Sequence, residues 1–488
     1  KKRKNKTVAL CHGVFDLLHL GHIKYFKASK KMADLLVVSI TNDQFVNKGP
    51  GRPIFNINQR TEMLNNISVI DYILVSDSFT AINVIRKVKP NYYFKDQEYK
   101  LRKDITNNIK KEISEVKKYK GKIIFSKEEK FSSSELLKFS KNFSTGKYFE
   151  FINKLSPIFK NKNILEKIDN INLNCLVVGE SIIDKYIFTE GLGKSGKESI
   201  LTMKKIYEKT YNGGSLSIAQ NISEFSKKVS LLTDVTKSNS YKNLIKKLSK
   251  KVNIVSVSKK NSPLIVKTKF LDYFSRNKLF GIYEINDRIL DKNEEQIFLK
   301  RLKNQIKKTD FIIVCDYDHG FITEKIAKYI IKQKKPVIVT CQLNSANMSF
   351  HNLLKLNGAD LLVINSNEIN NFYKRKSTEE NTKILGKKFL KEYNYKNLII
   401  TMGDKGSYYF QKNKVSYCPA FTDNVPGDKI GSGDTFLILS SIGFILKLDP
   451  EIILSIASIA AIENLKGFAN ENLLQKKNLL KSINHFFL

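Results

Sequence analysis

The sequence has few cysteines, and none of them forms a recognisable group. They are Cys11, Cys175, Cys315, Cys341 and Cys418. They lie far apart, form no CxxC pair and do not cluster with histidine, so the pattern favours neither a disulfide framework nor a zinc site. Four of them lie in or beside apolar, strand-like runs. We therefore interpret them as buried thiols of a protein in a reducing compartment.

A long uninterrupted apolar run is also missing. The most apolar region, Leu437 to Leu465, is broken by charged residues and a proline near its middle, and it predicts two buried helices instead of a membrane span. Five of the first six residues are basic, but they lead into a strand-like run, which differs from the apolar core of a signal segment. We expect a cytoplasmic protein with no membrane partner.

Arginine is scarce although the chain is strongly basic. The formal net charge is +37, yet only nine of the 84 basic residues are arginines. Phosphate and base recognition in nucleic acids favours the guanidinium group, and the lysines here are spread along the whole chain. We therefore predict solvated lysine faces and no nucleic-acid partner. The positive charge still favours phosphorylated metabolites and nucleotides as ligands.

Two segments begin in the same way, with a short apolar strand followed by a turn and a helix. They are Thr7 to Cys11 and Cys175 to Val178, and each is typical of the first strand of an α/β domain. The stretch between them is rich in Lys, Asn and Phe and has a helical pattern. We predict a first domain over residues 1–137, a helical linker over 138–171 and a second domain over 172–488.

Apolar runs alternate with helical segments in both domains, which predicts parallel sheets covered by helices on both faces. In the first domain the later strands are expected at Leu35 to Ile40, Tyr72 to Val75, Tyr92 to Phe94 and Ile123 to Phe125. In the second they are expected at Val229 to Leu232, Phe311 to Cys315, Val337 to Thr340, Leu361 to Ile364 and Leu398 to Thr401. An alternating polar region, Leu264 to Ile285, predicts an antiparallel flap.

The first chemical motif follows the first strand. His19 and His22 stand three residues apart around Gly21, at the start of a predicted helix. A helix start offers free amide donors and a favourable dipole for phosphate, and Gly21 lets a nucleotide approach the backbone. Two surface histidines are the simpler interpretation of an isolated HxGH tetrapeptide. The position after a strand favours the phosphate site.

In this context the segment resembles the HxGH nucleotidyltransferase superfamily, and within it the cytidylyltransferase-like branch. The resemblance covers about Thr7 to Leu137. Further matching positions follow in family order: Lys48 with Gly51-Arg52-Pro53, Gln59-Arg60, Phe94-Lys95 and Phe131-Ser132-Ser133-Ser134. The resemblance implies a Rossmann-like domain that transfers a nucleotidyl group to a phosphate and releases pyrophosphate.

The resemblance also implies roles for these residues. His19 and His22 would bind the triphosphate and stabilise the transition state, with Lys48 neutralising phosphate charge. The remaining nucleotide and phosphate ligands would be Gly13, Phe15, Gly21, Arg52, Arg60, Lys95, Ser132, Ser133 and Ser134. Asp16 would order the turn. The sequence departs from the family at Lys95-Asp96-Gln97-Glu98-Tyr99 and in having three serines, so the choice between ATP and CTP stays open.

The second motif lies near the C-terminus, where Gly431, Ser432, Gly433 and Asp434 precede an apolar helix. Two glycines around a serine let successive amides converge on an anion, and a carboxylate beside them can accept the proton of an alcohol. A turn with a helix cap is the commoner meaning of such residues. The motif predicts a phosphoryl-transfer loop if the rest of the domain agrees.

The motif resembles the ribokinase (PfkB) carbohydrate-kinase signature, and other family marks occur in order from about Asn172 onwards. They are Gly179 with Asp184, Asn212-Gly213-Gly214, Asp316 to Gly320, Asn365-Ser366-Asn367-Glu368 and Thr401 to Gly406. The resemblance implies that Asp434 is the general base and that Gly431, Ser432 and Gly433 form the anion hole. The larger domain is therefore expected to be ribokinase-like.

The same resemblance assigns the other ligands. Asp184, Gly213 and Gly214 would contact the sugar, and Gly403 would lie in the nucleotide site. Asn365 and Glu368 would organise Mg²⁺ indirectly. The sequence departs from the family at Glu180, at Ser217 and at Cys341-Gln342-Leu343-Asn344, all on the substrate or phosphate side. The sugar is therefore left open.

Together the halves resemble the bifunctional ADP-heptose synthases, with the two parts in reversed order. We expect an enzyme that phosphorylates a sugar or sugar phosphate with ATP and Mg²⁺, and that transfers a nucleotidyl group from ATP or CTP to a sugar 1-phosphate. A separate phosphatase and a homo-oligomer are expected partners. Two alternatives stay open: a glycerol-phosphate or polyol-phosphate cytidylyltransferase fused to an unrelated sugar kinase, and a nucleotide-binding regulator without catalysis.

Overall fold

The structure is a computed structural model that describes residues 6–46, 52–96, 108–126, 147–161, 163–234, 242–248, 250–343, 347, 352–421, 430–465, 471 and 473–487. The chain divides into two compact units, one formed by residues 1–162 with 477–488 and the other by residues 163–476. The last helix therefore groups with the first unit, although the sequence pattern predicts one domain over residues 172–488. Each unit is described by itself.

The first unit is built on a five-stranded parallel sheet with the order β3-β2-β1-β4-β5. Its strands are β1 Val8–Gly13, β2 Leu35–Thr41, β3 Tyr72–Ser76, β4 Tyr92–Asp96 and β5 Lys122–Ser126. Its helices are α1 Leu20–Lys31, α2 Ile57–Asn65, α3 Ile82–Val88, α4 Asn108–Lys118 and α5 Lys147–Asn161, with α15 Lys476–Phe487 at the end of the chain. The predicted Rossmann-like α/β domain is confirmed.

Helices cover both faces of this sheet, which is why its strands read as nearly continuous apolar runs. Alternate residues of β1 face opposite sides. Ala9 and Cys11 pack with Phe26 of α1 in one core cluster. Val8 and Leu10 pack with Ile85 of α3 and with residues of α4 in the other cluster.

The second unit contains a nine-stranded sheet with the order β10-β9-β6-β13-β14-β15-β16-β17-β18. Its strands are β6 Asn174–Gly179, β9 Lys228–Thr233, β10 Val252–Ser256, β13 Phe311–Asp316, β14 Val337–Cys341, β15 Leu361–Asn365, β16 Asn397–Thr401, β17 Ser407–Gln411 and β18 Lys414–Cys418. Strands β10 to β16 of this order pair in parallel, and β17 and β18 are antiparallel additions. All six strands predicted for this sheet are present.

The helices of the second unit begin with α6 Ile164–Asp169, α7 Gly214–Ile222, α8 Lys242–Leu248, α9 Lys292–Ile306 and α10 Glu324–Ile331. They continue with α11 Ser366–Phe372, α12 Glu379–Glu392, α13 Ser432–Ile445 and α14 Pro450–Leu465. The last two form the predicted pair of buried apolar helices and pack against each other. Within the described ranges, no helix combines the length and the hydrophobicity needed to cross a membrane.

A separate four-stranded sheet, here called the lid sheet, has the order β12-β11-β7-β8. Its strands are β7 Ser181–Lys194, β8 Leu201–Gly213, β11 Ile265–Asp272 and β12 Lys278–Glu284. The hairpin of β11 and β12 is the flap predicted from alternation. Strands β7 and β8 were not predicted, because their outer halves are exposed and rich in charged residues and so lack the buried pattern of a strand.

Candidate active sites

The carboxyl end of β1 forms the centre of the first candidate site. The strand order reverses between β1 and β4, and ligands of open parallel sheets bind outside the carboxyl ends of the strands at such a switch point. His12 and Gly13 end β1, and Lys95 lies at the end of β4. Nucleotide binding at this edge would therefore place the phosphates beside the following helix, α1.

His19 and His22 lie together at the start of α1. His19 is the N-cap residue, and its carbonyl accepts a hydrogen bond from the His22 amide at 2.9 Å. The two ring centroids are 3.9 Å apart, and the centroids of the His22 and Phe15 rings are 5.5 Å apart. Phe15 has a φ of +48°, and a Cβ on Gly13 would lie 3.0 Å from its ring. Gly13 and Phe15 thus shape the turn that presents the imidazoles, with Gly21 in the first helical turn.

Asp16 orders this turn, as expected from the sequence. Its buried carboxylate accepts hydrogen bonds from the amides of Ile54 and Phe55 at 2.8 and 2.9 Å. Arg52 donates from Nε to the same carboxylate. The arginine therefore joins the loop around residue 54 to the turn before α1, and its predicted contact with phosphate stays a prediction.

Arg60 has a different role from the predicted phosphate ligand. Its side chain is fully buried, and it donates to the carbonyl oxygens of Phe55, Val14 and Thr41 at 2.9, 2.5 and 2.9 Å. A further bond reaches the Asp43 carboxylate at 2.5 Å. Since the guanidinium is occupied by protein acceptors, it holds the loops behind the site and is not placed to bind a nucleotide.

Lys95 is paired inside the first unit. Its ammonium lies 3.2 Å from the Glu112 carboxylate, which also accepts bonds from the Ala81 amide and the Tyr93 hydroxyl. Burial opposes ionisation of Glu112, but Lys95 and the other partners hold its pKa below the usual value. Burial first, and Lys95 second, lower the pKa of the neighbouring His12 to about 4. His12 is therefore neutral at pH 7.

The predicted residues Lys48, Ser132, Ser133 and Ser134 lie outside the described residues. Their assignment rests on the resemblance. Within the described part of the first unit, the two histidines are the polar side chains that the helix start brings together.

The second candidate site is at the start of α13, where Gly431 is the N-cap residue with a φ of +83°. A side chain at that φ would be strained, so the turn favours glycine. A Cβ on Gly433 would meet no atom within 4 Å, which leaves open space beside the first amides of the helix. The geometry fits the predicted anion hole of Gly431, Ser432 and Gly433.

Asp434 lies in the first turn of α13 and remains partly accessible. Desolvation raises its pKa to about 7, with the Ser217 hydroxyl opposing the shift and the charge of Asp184 adding to it. A carboxyl group with a pKa near 7 can accept a proton efficiently at neutral pH. Ser217, noted above as a departure from the family, therefore lies beside the candidate base.

Asp184 belongs to the lid sheet and lies opposite Lys267 in the pairing of β7 with β11. Its carboxylate accepts a bond from Lys269 at 2.8 Å. A Cβ on Gly213 would lie 2.3 Å from Asp184, and Gly214 has a φ of +53°. The two glycines thus let β8 turn into α7 against Asp184. The structure thus brings together Asp184, Gly213 and Gly214, the three residues predicted to contact the sugar. Asp434 is near enough for the charge of Asp184 to raise its pKa.

Asn365 and Glu368 form a capping box at the start of α11. Asn365 accepts bonds from the Asn367 and Glu368 amides, and the Glu368 carboxylate accepts from the Asn365 amide at 2.6 Å and from the Leu343 amide at 3.1 Å. Burial raises the pKa of Glu368 to about 8. The buried carboxyl group of Glu368 thus orders the loop at Leu343, and its indirect role towards Mg²⁺ stays a prediction.

Gly403, after the end of β16, has a φ of +61°, and a Cβ added to it would meet no atom within 4 Å, so space remains beside its backbone. Among the described residues, no group of three or more His, Cys, Asp and Glu side chains is arranged to hold a metal ion.

A buried acidic cluster lies behind the second site, under the carboxyl ends of β6, β9 and β13. Glu180 accepts bonds from the Tyr317 and His319 amides, and burial with the charge of Asp316 raises its pKa to about 8. Lys355 lies 2.7 Å from Asp316 and also pairs with Asp318. Asp234 accepts from the Ser181 amide at 2.7 Å. This network fixes the chain where β6 passes into the lid strand β7.

Several residues near the two sites were not predicted from the sequence. Lys267 and Lys269 lie on β11 beside Asp184, and their spacing of two residues within an alternating strand was the available signal. His12 and Glu112 were missed because their nearness depends on the pairing of β1 with β4 and on the packing of α4. No sequence pattern indicated the role of Lys355, because its partners Asp316 and Asp318 are distant in sequence.

Comparison with known protein families identifies the class of protein to which the chain belongs. Residues 172–459, more than half of the chain, match the family described as pfkB family carbohydrate kinase. Residues 10–223 match the family described as Cytidylyltransferase-like. The chain belongs to the pfkB family of carbohydrate kinases and carries a cytidylyltransferase-like part ahead of the kinase part. Both resemblances predicted from the motifs are confirmed.

The particular relatives agree with this pairing. The chain is 34% identical over 123 residues to "Bifunctional protein HldE" of Campylobacter concisus, a match covering 25% of this chain and 26% of the relative. It is 37% identical over 101 residues to the protein of the same name from Syntrophotalea carbinolica, covering 20% and 21%. The chain thus matches about a quarter of the length of these curated relatives.

Solved structures support the fold of the second unit. Arabidopsis thaliana ribokinase complexed with ribose and ATP superposes with a TM-score of 0.50 at 19% identity, covering 64% of this chain and 99% of that one. A mutant form of Escherichia coli phosphofructokinase-2 gives 0.51 at 12% identity, covering 65% and 99%. At these sequence identities the structural similarity shows the ribokinase-like fold and no further property.

The role assigned to Arg60 predicts a loss of stability. Replacing it in Arg60→Met leaves Asp43 and three carbonyl oxygens without their buried donor, which we expect to cost about 3 kcal/mol of unfolding free energy. Urea unfolding of the full chain, followed by circular dichroism, measures the change. Arg86→Met is the control, because the Arg86 side chain is exposed and its partner Glu115 keeps a second ion pair with Lys118. Equal stability of the two variants would contradict the structural role.

Proposed function

We propose that this chain is a bifunctional enzyme that transfers phosphoryl groups at one site and nucleotidyl groups at the other. One observation carries the proposal: each unit ends its parallel sheet beside a helix start that bears groups suited to phosphate chemistry. These are His19 and His22 at α1, and Gly431 to Asp434 at α13. The family match of the kinase part and that of the cytidylyltransferase-like part agree with it.

In the nucleotidyl-transfer half, the phosphate of an acceptor attacks the α-phosphorus of a nucleoside triphosphate, and pyrophosphate leaves. The amides at the start of α1 and the two imidazoles would stabilise the negative charge that builds up on the phosphorus oxygens. Such a displacement needs orientation and charge stabilisation more than covalent help. Lys48 and the serines from 132 to 134 remain proposed ligands by resemblance.

In the kinase half, Asp434 would take the proton from a sugar hydroxyl as that oxygen attacks the γ-phosphorus of ATP, and the bond to the β–γ bridging oxygen breaks to release ADP. Amides of Gly431 to Gly433 would hold the transferring phosphoryl group, and Asp184 would orient the sugar from the lid sheet. Mg²⁺ bound with the nucleotide would neutralise phosphate charge. The raised pKa of Asp434, caused by desolvation, supports the role of base.

The proposed substrates are a sugar or sugar phosphate of the heptose 7-phosphate kind for the kinase, and a sugar 1-phosphate for the nucleotidyltransferase. If the two halves act in one pathway of that kind, a separate phosphatase works between them. The alternative is a polyol-phosphate cytidylyltransferase fused to an unrelated kinase. The product analysis described below distinguishes these sugars and the two bases, adenine and cytosine.

We also propose that the kinase unit associates with a second copy. Tyr186, Phe188 and Leu271 of the lid sheet pack on one face. In the edge strand β12, Phe280 is 51% exposed and Ile282 is 55% exposed. Large apolar side chains grouped on an exposed part of a sheet are typical of interaction surfaces.

A product analysis tests the bifunctional assignment. The full chain is incubated with a panel of sugars and sugar phosphates together with ATP or CTP and Mg²⁺, and the products are identified by mass. We expect a phosphorylated sugar from ATP and a nucleotide sugar with pyrophosphate from one of the two nucleotides. Turnover of neither kind would favour the non-catalytic regulator, and a cytidylylated polyol would favour the alternative enzyme.

The base assignment predicts the effect of Asp434→Asn. The amide keeps the size of the side chain but cannot accept the substrate proton, so kinase turnover should fall about 10²–10⁴-fold. Because Asp434 must be deprotonated and its pKa is about 7, the wild-type rate should rise as the pH increases through that value. Nucleotidyl transfer should survive in the variant. Near wild-type phosphorylation would rule out this base.

The helix-start assignment predicts the effect of His22→Ala. Loss of an imidazole that stabilises the transition state should remove about 3 kcal/mol of stabilisation, and hence about two orders of magnitude in rate. Pyrophosphate release with the accepted nucleotide measures the loss, and kinase turnover of the same sample checks that the chain is folded. Unchanged pyrophosphate release would contradict the site.

A further inference from the structure

Three polar side chains cross the carboxyl ends of neighbouring strands in the first unit. They are Ser39 of β2, His12 of β1 and Lys95 of β4, here called the polar row. His12 pairs with Ser39 in the register of β1 with β2. The pairing of Cys11 with Phe94 places Lys95 opposite His12 on the other side. Because side chains at paired positions point to the same side of a sheet, the polar row lies on one face.

The polar row faces away from α1, where the phosphate groups of a substrate are expected. Cys11 packs with Phe26 of α1 in the core cluster on one face of the sheet. Leu10 packs with Ile85 of α3 in the cluster on the other face. Since alternate residues of a strand point to opposite faces, His12 lies on the same side as Leu10. A substrate that reaches both α1 and the polar row must therefore extend across the end of β1.

Specific contacts hold the members of the polar row in place. The hydroxyl oxygen of Ser39 lies 3.1 Å from Nδ1 of His12. The ammonium group of Lys95 lies 3.2 Å from the carboxylate of Glu112, which also accepts a hydrogen bond from the Ala81 amide at 2.8 Å. Ser39 and Lys95 are buried, whereas His12 is partly exposed. His12 is therefore the member of the polar row that a substrate can reach.

The chemistry of the polar row favours an uncharged polar group over a phosphate. Glu112 balances the charge of Lys95, and burial together with Lys95 lowers the pKa of His12 to about 4, so its ring is neutral. Phosphate is held most strongly by charged donors. Nδ1 of His12 lies beside Ser39, and none of the described residues bonds to Nε2. That nitrogen donates or accepts according to the tautomer, and a hydroxyl group can pair with it in both cases.

We propose that Nε2 of His12 binds a sugar hydroxyl group of a substrate of the first unit, across the end of β1 from the phosphates. The hydroxyl belongs either to the ribose of the nucleoside triphosphate or to the acceptor sugar, because both extend away from the reacting phosphorus. Ser39 holds the imidazole in the orientation that presents Nε2. The proposal rests on the nucleotidyl-transfer activity proposed above.

Three replacements of His12 in the full chain test the contact. His12→Ala should raise KM about 5-fold for the substrate that carries the hydroxyl, with kcat changed less than about twofold, as expected for loss of one uncharged hydrogen bond. His12→Gln carries an amide near the Nε2 position and should restore most of the affinity. His12→Asn carries its amide near Nδ1 and should behave like His12→Ala. KM for the other substrate and kinase turnover are the controls and should not change.

Two results of this series would contradict the contact. One is an unchanged KM for both substrates in His12→Ala. The other is a wild-type KM in His12→Asn together with a raised KM in His12→Gln, because the bond to Ser39 alone would then account for His12.

Deoxy substrates identify the hydroxyl group. The 2′-deoxy and 3′-deoxy forms of the accepted nucleotide, and the deoxy forms of the accepted sugar 1-phosphate, are compared in the wild type and in His12→Ala. Loss of the contacted hydroxyl should raise KM in the wild type but change it less than about twofold in the variant, because both changes remove the same hydrogen bond. If every deoxy substrate affected the two proteins equally, the assignment to a hydroxyl would be wrong.

Binding measurements separate this proposal from the proposed function. The wild type and His12→Ala are titrated in a calorimeter with ATP, with CTP and with the sugar 1-phosphates of the panel, which requires no turnover. The kinase unit is the same in both proteins, so any difference arises in the first unit. If the wild type released no pyrophosphate but bound one of these compounds more tightly than the variant, the proposed function would fail and the contact would stand. Equal affinities for all of them would overturn the contact.

Discussion

The parallel strand order is the constraint on which the first candidate site and the acidic cluster of the second unit depend. A parallel strand cannot return by a tight hairpin, so β1, β13 and β15 are each followed by a loop and a helix that lead away from the same edge of the sheet. In the second unit, α13 instead follows the antiparallel strand β18. His12 and Gly13 end β1, while Asp316 and Asn365 end strands of the larger sheet. The polar side chains of each unit gather at one edge for this reason. Backbone amide donors are therefore available for phosphate at this edge, whichever side chains surround it.

Buried charge is distributed differently in the two units. In the first, Arg60 and Asp16 bind backbone groups of the surrounding loops, which fixes the turn that presents the histidines. In the second, Glu180, Asp316 and Asp434 are desolvated carboxyl groups with raised pKa values. Burial makes such groups costly to ionise, which is why their pKa values lie above the usual range. In the second unit, Glu180 and Asp316 are held by backbone amides and by Lys355, whereas Asp434 at the start of α13 remains partly accessible.

The C-terminal helix adds a physical link between the ends of the chain. Because α15 packs on α5 through Phe487 and Phe159, the first unit includes residues from both ends of the sequence. Such a unit cannot complete its core until the kinase part has been synthesised. The order of the two parts therefore affects how the first unit is completed.

The sequence by itself determined the α/β class, the parallel strands, the two buried C-terminal helices and the two motifs at His19 to His22 and Gly431 to Asp434. Those features depend on short-range periodicity and on glycine and helix-start chemistry, which act within a few residues. Tertiary structure alone decided that Arg60 is a structural residue, that Ser217 and Asp184 influence Asp434, and that α15 joins the first unit. Their partners are far apart in sequence, and β7 and β8 become strands only through pairing with each other and with β11. The physical reason is that burial and charge pairing depend on which helices and strands pack against each other. The hydrophobic periodicity of a sequence carries no information about that packing.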